Sequence, residues 1–174
     1  MKKLKNKKIL MLGTAVVSLN VVALSQVAHA VTATITLTAT TNLHFGRFAP
    51  DNVSAGTVVI SPAGAQSFTG GIVDAGSAGI SQAAGFSITG DPSVDIQITS
   101  SATALSGPGP NMNISTIKYS IGPTADTDTT TFQIPTTATT TLTFSVGATL
   151  SVANSATQTN GAYTGGITLT ANYL

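Results

Sequence analysis

Cysteine, tryptophan and glutamate are all missing from this chain. Without cysteine there is no disulfide and no lipid-modified cysteine anchor. Stability must then come from a core or a partner. Charge is scarce too, at 7% of 174 residues, and only six phenylalanines and three tyrosines supply aromatic bulk. Long-chain helix formers are few, while Thr, Val and Ile abound, which predicts an all-β fold. No convincing amphipathic helix is legible; residues 75–84 (AGSAGISQAA) offer at most one short helical turn.

The basic residues are unevenly placed. Lys2, Lys3, Lys5, Lys7 and Lys8 precede a mostly apolar run, residues 9–24, and Ala28-His29-Ala30 has the small-x-small form of a cleavage site. Residues 1–30 are therefore expected to be a secretory signal peptide. Removing them leaves Arg47 and Lys118 against six aspartates, a net charge of −4 in place of the formal +1. Such a domain is a poor candidate for phosphate backbones, and no nucleic-acid partner is expected. Once the leader is gone no stable membrane span is expected either. An intramembrane barrel is disfavoured, because aromatics are too few for two girdles and ten-residue strands do not recur.

Alternation of apolar and polar residues organises the rest. In residues 32–41 (TATITLTATT), Ala33, Ile35, Leu37 and Ala39 alternate with threonines. Residues 43–48 are expected to continue that strand in the same phase. At the other end Ile167, Leu169, Ala171 and Tyr173 alternate with Thr168, Thr170 and Asn172. Between them, strands are expected at 56–61, 85–89, 93–99, 113–121, 130–134, 139–146 and 148–152, with Gly147 dividing the last two. Asp91-Pro92, the run Ser106-Gly107-Pro108-Gly109-Pro110 and Asn160-Gly161 carry turn chemistry, the last as a two-residue turn before the final strand. Eight to ten short strands with turns between them fit a β-sandwich or a small barrel.

Residues with catalytic chemistry are nearly absent. After the leader His44 is the only histidine, and it sits beside Phe45 as a polar-face side chain. No Gly-x-Ser-x-Gly elbow occurs. Asp126-Thr127-Asp128 lacks the glycine and glutamate that a calcium loop needs, so turn-forming aspartates are the better reading. The glycine-rich stretches lack a phosphate loop's Lys-Ser/Thr ending. The expectation is a non-enzyme with no cofactor and no metal.

The C-terminal strand carries a resemblance. Tyr173 is penultimate and Gly161 is fourteenth from the end, as is common in subunits of bacterial chaperone–usher pili. Residues 146–174, read as VGATLSV…GAYTGGITLTANYL, also resemble the C-terminal half of spore-coat-protein-U-like secreted domains. The resemblance is strongest to a related family of exported, pilin-like domains of unknown function, whose N-terminal and central signatures are similar to Leu43-His44-Phe45-Gly46 and Gly85-Phe86-Ser87-Ile88-Thr89-Gly90. It spans most of residues 31–174.

The resemblance implies an immunoglobulin-like antiparallel β-sandwich that lacks its last strand. The gap would be filled first by a periplasmic chaperone, and then, at an outer-membrane usher, by the leading strand of the next subunit. On this analogy residues 31–42 form a donor-type strand with Ala33, Ile35, Leu37 and Ala39 as donor residues, and residues 43–174 form the sandwich. Ile167, Leu169, Ala171 and Tyr173 would border the acceptor groove, and basic chaperone residues would hold the Leu174 carboxylate. Many such pilins carry a disulfide, which this chain cannot form. The implied function is a structural subunit of a surface fibre (fimbria or pilus) or coat, a homopolymer by strand exchange.

Elementary physics is compatible with that role. Ten extended residues reach about 33 Å, and burying Ile35 and Leu37 is worth about 1.5–3 kcal/mol each. A head-to-tail donor makes an interface that does not close on itself. A pattern with alternating strands at both ends equally fits a sandwich completed by its own first strand. The alternative is thus a self-contained secreted sandwich that binds a surface glycan or host protein through loops such as residues 106–110.

Overall fold

Strand β12 (Thr141–Val152) is the axis on which most of the chain is laid. Its sequence, TLTFSVGATLSV, alternates throughout, with Gly147 at a polar-phase position, and its apolar residues Leu142, Phe144, Val146, Ala148, Leu150 and Val152 are all buried. In the computed structural model, which describes residues 33–76, 79–121, 130–134 and 141–174, every regular element is a β-strand. All belong to one compact unit, Val31–Leu174. The expected signal peptide, Thr32 and Asp126–Asp128 lie outside the described residues.

Along one side of β12 runs β10 (Asn113–Ile121), antiparallel, with a register shift between Ser115 and Lys118. The other side is shared. Residues 141–146 pair with β8 (Ala84–Thr89), and residues 148–152 pair with β4 (Gly56–Ile60). Gly147 stands at the handover. A Cβ there would strike the Ile60 carbonyl and lie 2.6 Å from Pro62 N and Ser61 C, so only glycine lets the β4 end approach. Gly147 was expected to divide two strands, yet it lies inside one strand that two neighbours divide between them.

Beyond β8 lies β1 (Thr36–Thr41), antiparallel, with Leu37 opposite Ile88 and a bulge between Ala39 and Thr41. Beyond β4 lies β5 (Gln66–Gly70), completing a six-stranded sheet. A second sheet has the order β11 (Thr131–Gln133), β9 (Asp95–Ala102), β13 (Ile167–Tyr173). Two small ladders complete the described strands: β2 (His44–Phe45) with β7 (Ser81–Gln82), and β3 (Phe48–Pro50) with β6 (Ile72–Asp74). The expected continuation of the first strand through residues 43–48 is broken at Gly46, whose φ of 73° turns the chain. Residues 75–84 hold no helix among the described residues, and Ser81–Gln82 is extended.

The two sheets pack face to face at one end of β12. Ile96 and Ile98 of β9 are fully buried against Ile88, Phe144, Val146 and Tyr119. Aromatic rings cross the interface in a column: Phe86 stacks on Phe144 at 5.5 Å, Phe144 on Phe132 at 6.1 Å, and Tyr119 meets Phe132 edge-on at 6.1 Å. This is the antiparallel sandwich that the alternation predicted. Few aromatics suffice because they are gathered at one place.

At the other end of β12 a second apolar cluster, with Val58, Ile60, Met112 and Leu150, is covered differently. Loops and the small ladders lie over it in place of a third sheet strand. Asp51 ties this end together. Its N–H donates to Gly71 O at 2.6 Å, and its carbonyl accepts from Ser155 N at 2.6 Å. Its carboxylate accepts from Ser54 N at 2.7 Å and Val53 N at 2.9 Å. Those two N–H groups hold the carboxyl below its ordinary value of 3.8. A depressed folded-state value means that the ionised carboxylate favours the fold above pH 3.8, and that this contribution is lost as pH falls through the lower folded value. Acid titration of unfolding should therefore show the advantage of the native chain over Asp51→Asn shrinking below about pH 4. An advantage that grows with acidification would refute this account.

Candidate functional site

Sequence patterning singled out the two end strands, and the structure lays both against the same core cluster. Ile35 and Leu37 are half-buried on the first core cluster; so are Leu169, Ala171 and Tyr173. β1 is the edge of the six-stranded sheet and β13 the edge of the three-stranded one. Each pairs on one side, β1 with β8 and β13 with β9, and neither has a second strand partner among the described residues.

The direction of the free groups on β13 follows from its register. Thr103 N donates to Gly166 O at 2.9 Å, and Leu174 N donates to Asp95 O at 3.0 Å. Main-chain groups of a strand alternate sides, so residues 166, 168, 170, 172 and 174 address β9. The N–H and C=O groups of Ile167, Leu169, Ala171 and Tyr173 therefore face the open edge, while their side chains turn to the core. β13 has no proline, no lysine and no register break, the usual devices that keep an edge from pairing. Leu174, just past β13, is 67% exposed.

The structure places the sequence-selected donor residues within their own domain. β1 pairs antiparallel with β8 of the same chain. The reason is energetic: Leu37 and Ile35 find apolar cover on the first cluster and β8 offers main-chain partners, while the cost of closing the loop of residues 42–83 grows only slowly with its length. Ala39 is exposed at the far end of β1, where it lines a cleft. At the near end, Ala33 lies in a small network. Its N–H donates to Asp91 Oδ2 at 3.0 Å, its carbonyl accepts from Tyr173 Oη at 3.0 Å, and Tyr173 Oη accepts from Asp91 N at 2.7 Å.

The cleft, about 1180 Å³, opens where the second cluster lacks a covering sheet. Its floor is Met112, Ile114 and Leu150. One wall is formed within residues 39–50 and the other within residues 158–167, reaching Ile167 at the start of β13. His44, Arg47, Asn160 and Tyr163 supply its polar groups. Gly161 stands in the second wall, where a Cβ would press on the Pro108 ring at 2.5 Å. Asn160-Gly161 was expected to form a tight turn between paired strands. The connection instead runs through residues 153–166 and crosses from one sheet to the other, because β12 and β13 belong to different sheets.

Some members of this site were not singled out from the sequence. The sequence marks Asp91 only as part of an Asp-Pro turn, and marks Met112 and Leu105 not at all. No local pattern marks them, since each acts through residues far away in the chain. Among the described residues no group of three or more His, Cys, Asp or Glu side chains could hold a metal ion. No helix among them is long and apolar enough to cross a membrane.

Comparison with known proteins gives one match. A model of the family described as "Domain of unknown function (DUF4402)" matches residues 35–173, from just ahead of β1 to the penultimate tyrosine. No curated protein and no solved structure matches the chain.

Proposed function

The chain belongs to the DUF4402 family, and we propose that it is a non-enzymatic structural subunit of a bacterial surface fibre or coat, whose copies join by exchange of β1. One observation carries the reading: two uncharged edge strands, β1 and β13, lay apolar side chains on the same core cluster, and among the described residues each is paired on one side only. With β1 in place the domain is self-completed. With β1 withdrawn, a slot bordered by β8 and β13 is left, of the kind an extended strand fills by main-chain pairing and alternate side-chain contacts. β1 of a second copy carries the matching residues, Leu37 for Ile88 and Ala39 for Phe86. Repeated head to tail, the exchange makes an open chain of subunits.

On this reading the sandwich is immunoglobulin-like and, once β1 is withdrawn, short of one strand. The chain is exported by its leader, crosses the periplasm with a chaperone seated along the β13 edge, and reaches the surface through an usher. Gly161 serves the second wall, and exposed Leu174 lies at the end of the chaperone-bound edge.

The test is Leu37→Asp. A buried charge facing Ile88 is strongly disfavoured. Fibres should be absent by electron microscopy while the exported chain is still recovered in the periplasm. Normal fibres from this variant would sink the proposal.

A second reading is favoured by β1 sitting on its own β8. The domain is then a self-contained secreted module whose cleft, with its apolar floor and the His44, Arg47, Asn160 and Tyr163 rim, takes a surface glycan or a host protein. A native chain that stays monomeric at high concentration, with no chaperone present, favours that reading over exchange.

A further inference from the structure

We infer that Tyr173 is a latch that pins the leading end of β1 in its own domain, and that its release gates the exchange of β1 with a second copy. The inference rests on the strand-exchange reading for its purpose, but the pinning itself stands on geometry. β1 is tied covalently at its trailing end to residues 42–43 and β2, so it can leave β8 only from its leading end. That is where the Tyr173 phenol reaches across from the three-stranded sheet.

Three contacts close a ring there. Tyr173 Oη donates to Ala33 O at 3.0 Å, three residues ahead of the start of β1. The same oxygen accepts from Asp91 N at 2.7 Å. The Asp91 carboxylate, in a residue only 8% exposed, accepts from Ala33 N at 3.0 Å. Both main-chain groups of Ala33 are thus held, one by each partner. The turn after β8 is shaped around the phenol. A Cβ at Gly90 would collide with Tyr173 Oη and come within 2.8 Å of Ile134 Cδ1. Every member is far from the others in sequence, 58 residues for Ala33 to Asp91 and 140 for Ala33 to Tyr173.

A tyrosine hydroxyl can donate once and accept as well, so phenylalanine at this position removes both of its bonds and keeps the ring. At the trailing end Gln82 Nε2 donates to Asn42 O at 3.1 Å and Thr41 Oγ1 reaches Ala83 O at 3.5 Å, but these ties sit where the chain already runs on into β2. The latch is therefore the step that an exchanging copy must undo first.

The experiment is Tyr173→Phe in the full chain, read by amide hydrogen exchange. Amides of β1 that pair with β8 should exchange roughly tenfold faster, the factor expected for one to two lost hydrogen bonds. Amides of β10 and β12 should keep their protection, which shows that the variant is folded. Asp91→Ala, which frees Ala33 N, should shift β1 in the same direction. Unchanged β1 protection in both variants overturns the latch. Polymer formation is scored separately by sizing. Faster β1 exchange with more polymer supports latch and strand exchange together. Faster β1 exchange with no polymer under any condition keeps the latch and overturns the strand-exchange reading.

Discussion

A chain lacking residues 32–41 is expected to form no polymers in sizing or electron microscopy, and to bind a synthetic peptide of residues 32–41 supplied in trans. The deletion removes β1 and uncovers the β8 edge and the slot toward β13. Ile35 and Leu37, half-buried, contribute about 1 kcal/mol each, and the antiparallel pairing with β8 adds about 0.5–1.5 kcal/mol per main-chain bond. The total is a few kcal/mol against a stability on the order of 5–15 kcal/mol. The shortened domain should therefore be weakened, and rescued as the peptide raises its melting temperature with the logarithm of peptide concentration above the Kd. Polymers that persist without residues 32–41 mean that β1 is not the exchanged strand. A folded truncated chain that ignores the peptide means that the slot is not an acceptor.

Phe144→Ala should be the most damaging single core substitution. The ring is 3% exposed and stands between Phe86 and Phe132 at the meeting of the two sheets. Truncation leaves a cavity that β12, paired on both sides, cannot close by moving. A loss of about 3–5 kcal/mol is expected, which for a domain of this size lowers Tm by roughly 10 °C or more. Chemical denaturation of the two chains measures it. A loss under about 1 kcal/mol would show that the aromatic column does not carry the sheet-to-sheet contact. The consequence reaches the open edge, because Leu169, Ala171 and Tyr173 rest on the same cluster.

Much of this architecture was legible as pattern. Period-two alternation identified β1, β9, β10, β12 and β13 to within a few residues, since a half-buried strand writes its two faces directly into the sequence. Asn113–Ile121 was bounded as the structure has it. Boundaries failed where a non-local neighbour determined them. Gly147 looks like a break, but its missing Cβ lets the β4 end approach a continuing strand. Gly46 interrupts what alternation alone continues. Asn160-Gly161 has the composition of a tight turn and sits in a long crossover.

The sequence by itself determined that the domain is all-β, that residues 32–41 and 167–173 are uncharged alternating strands, and that neither disulfide nor dense charge holds it together. Those are properties of composition and of period, which local sterics and burial translate into strands wherever the chain folds. Only the tertiary structure decided that β1 lies on β8 of its own chain, that β13 keeps an open edge, and that Tyr173 and Asp91 close over Ala33. Pairing partners and the meeting of residues 140 positions apart depend on which apolar faces cover each other in three dimensions. No window of sequence contains that information.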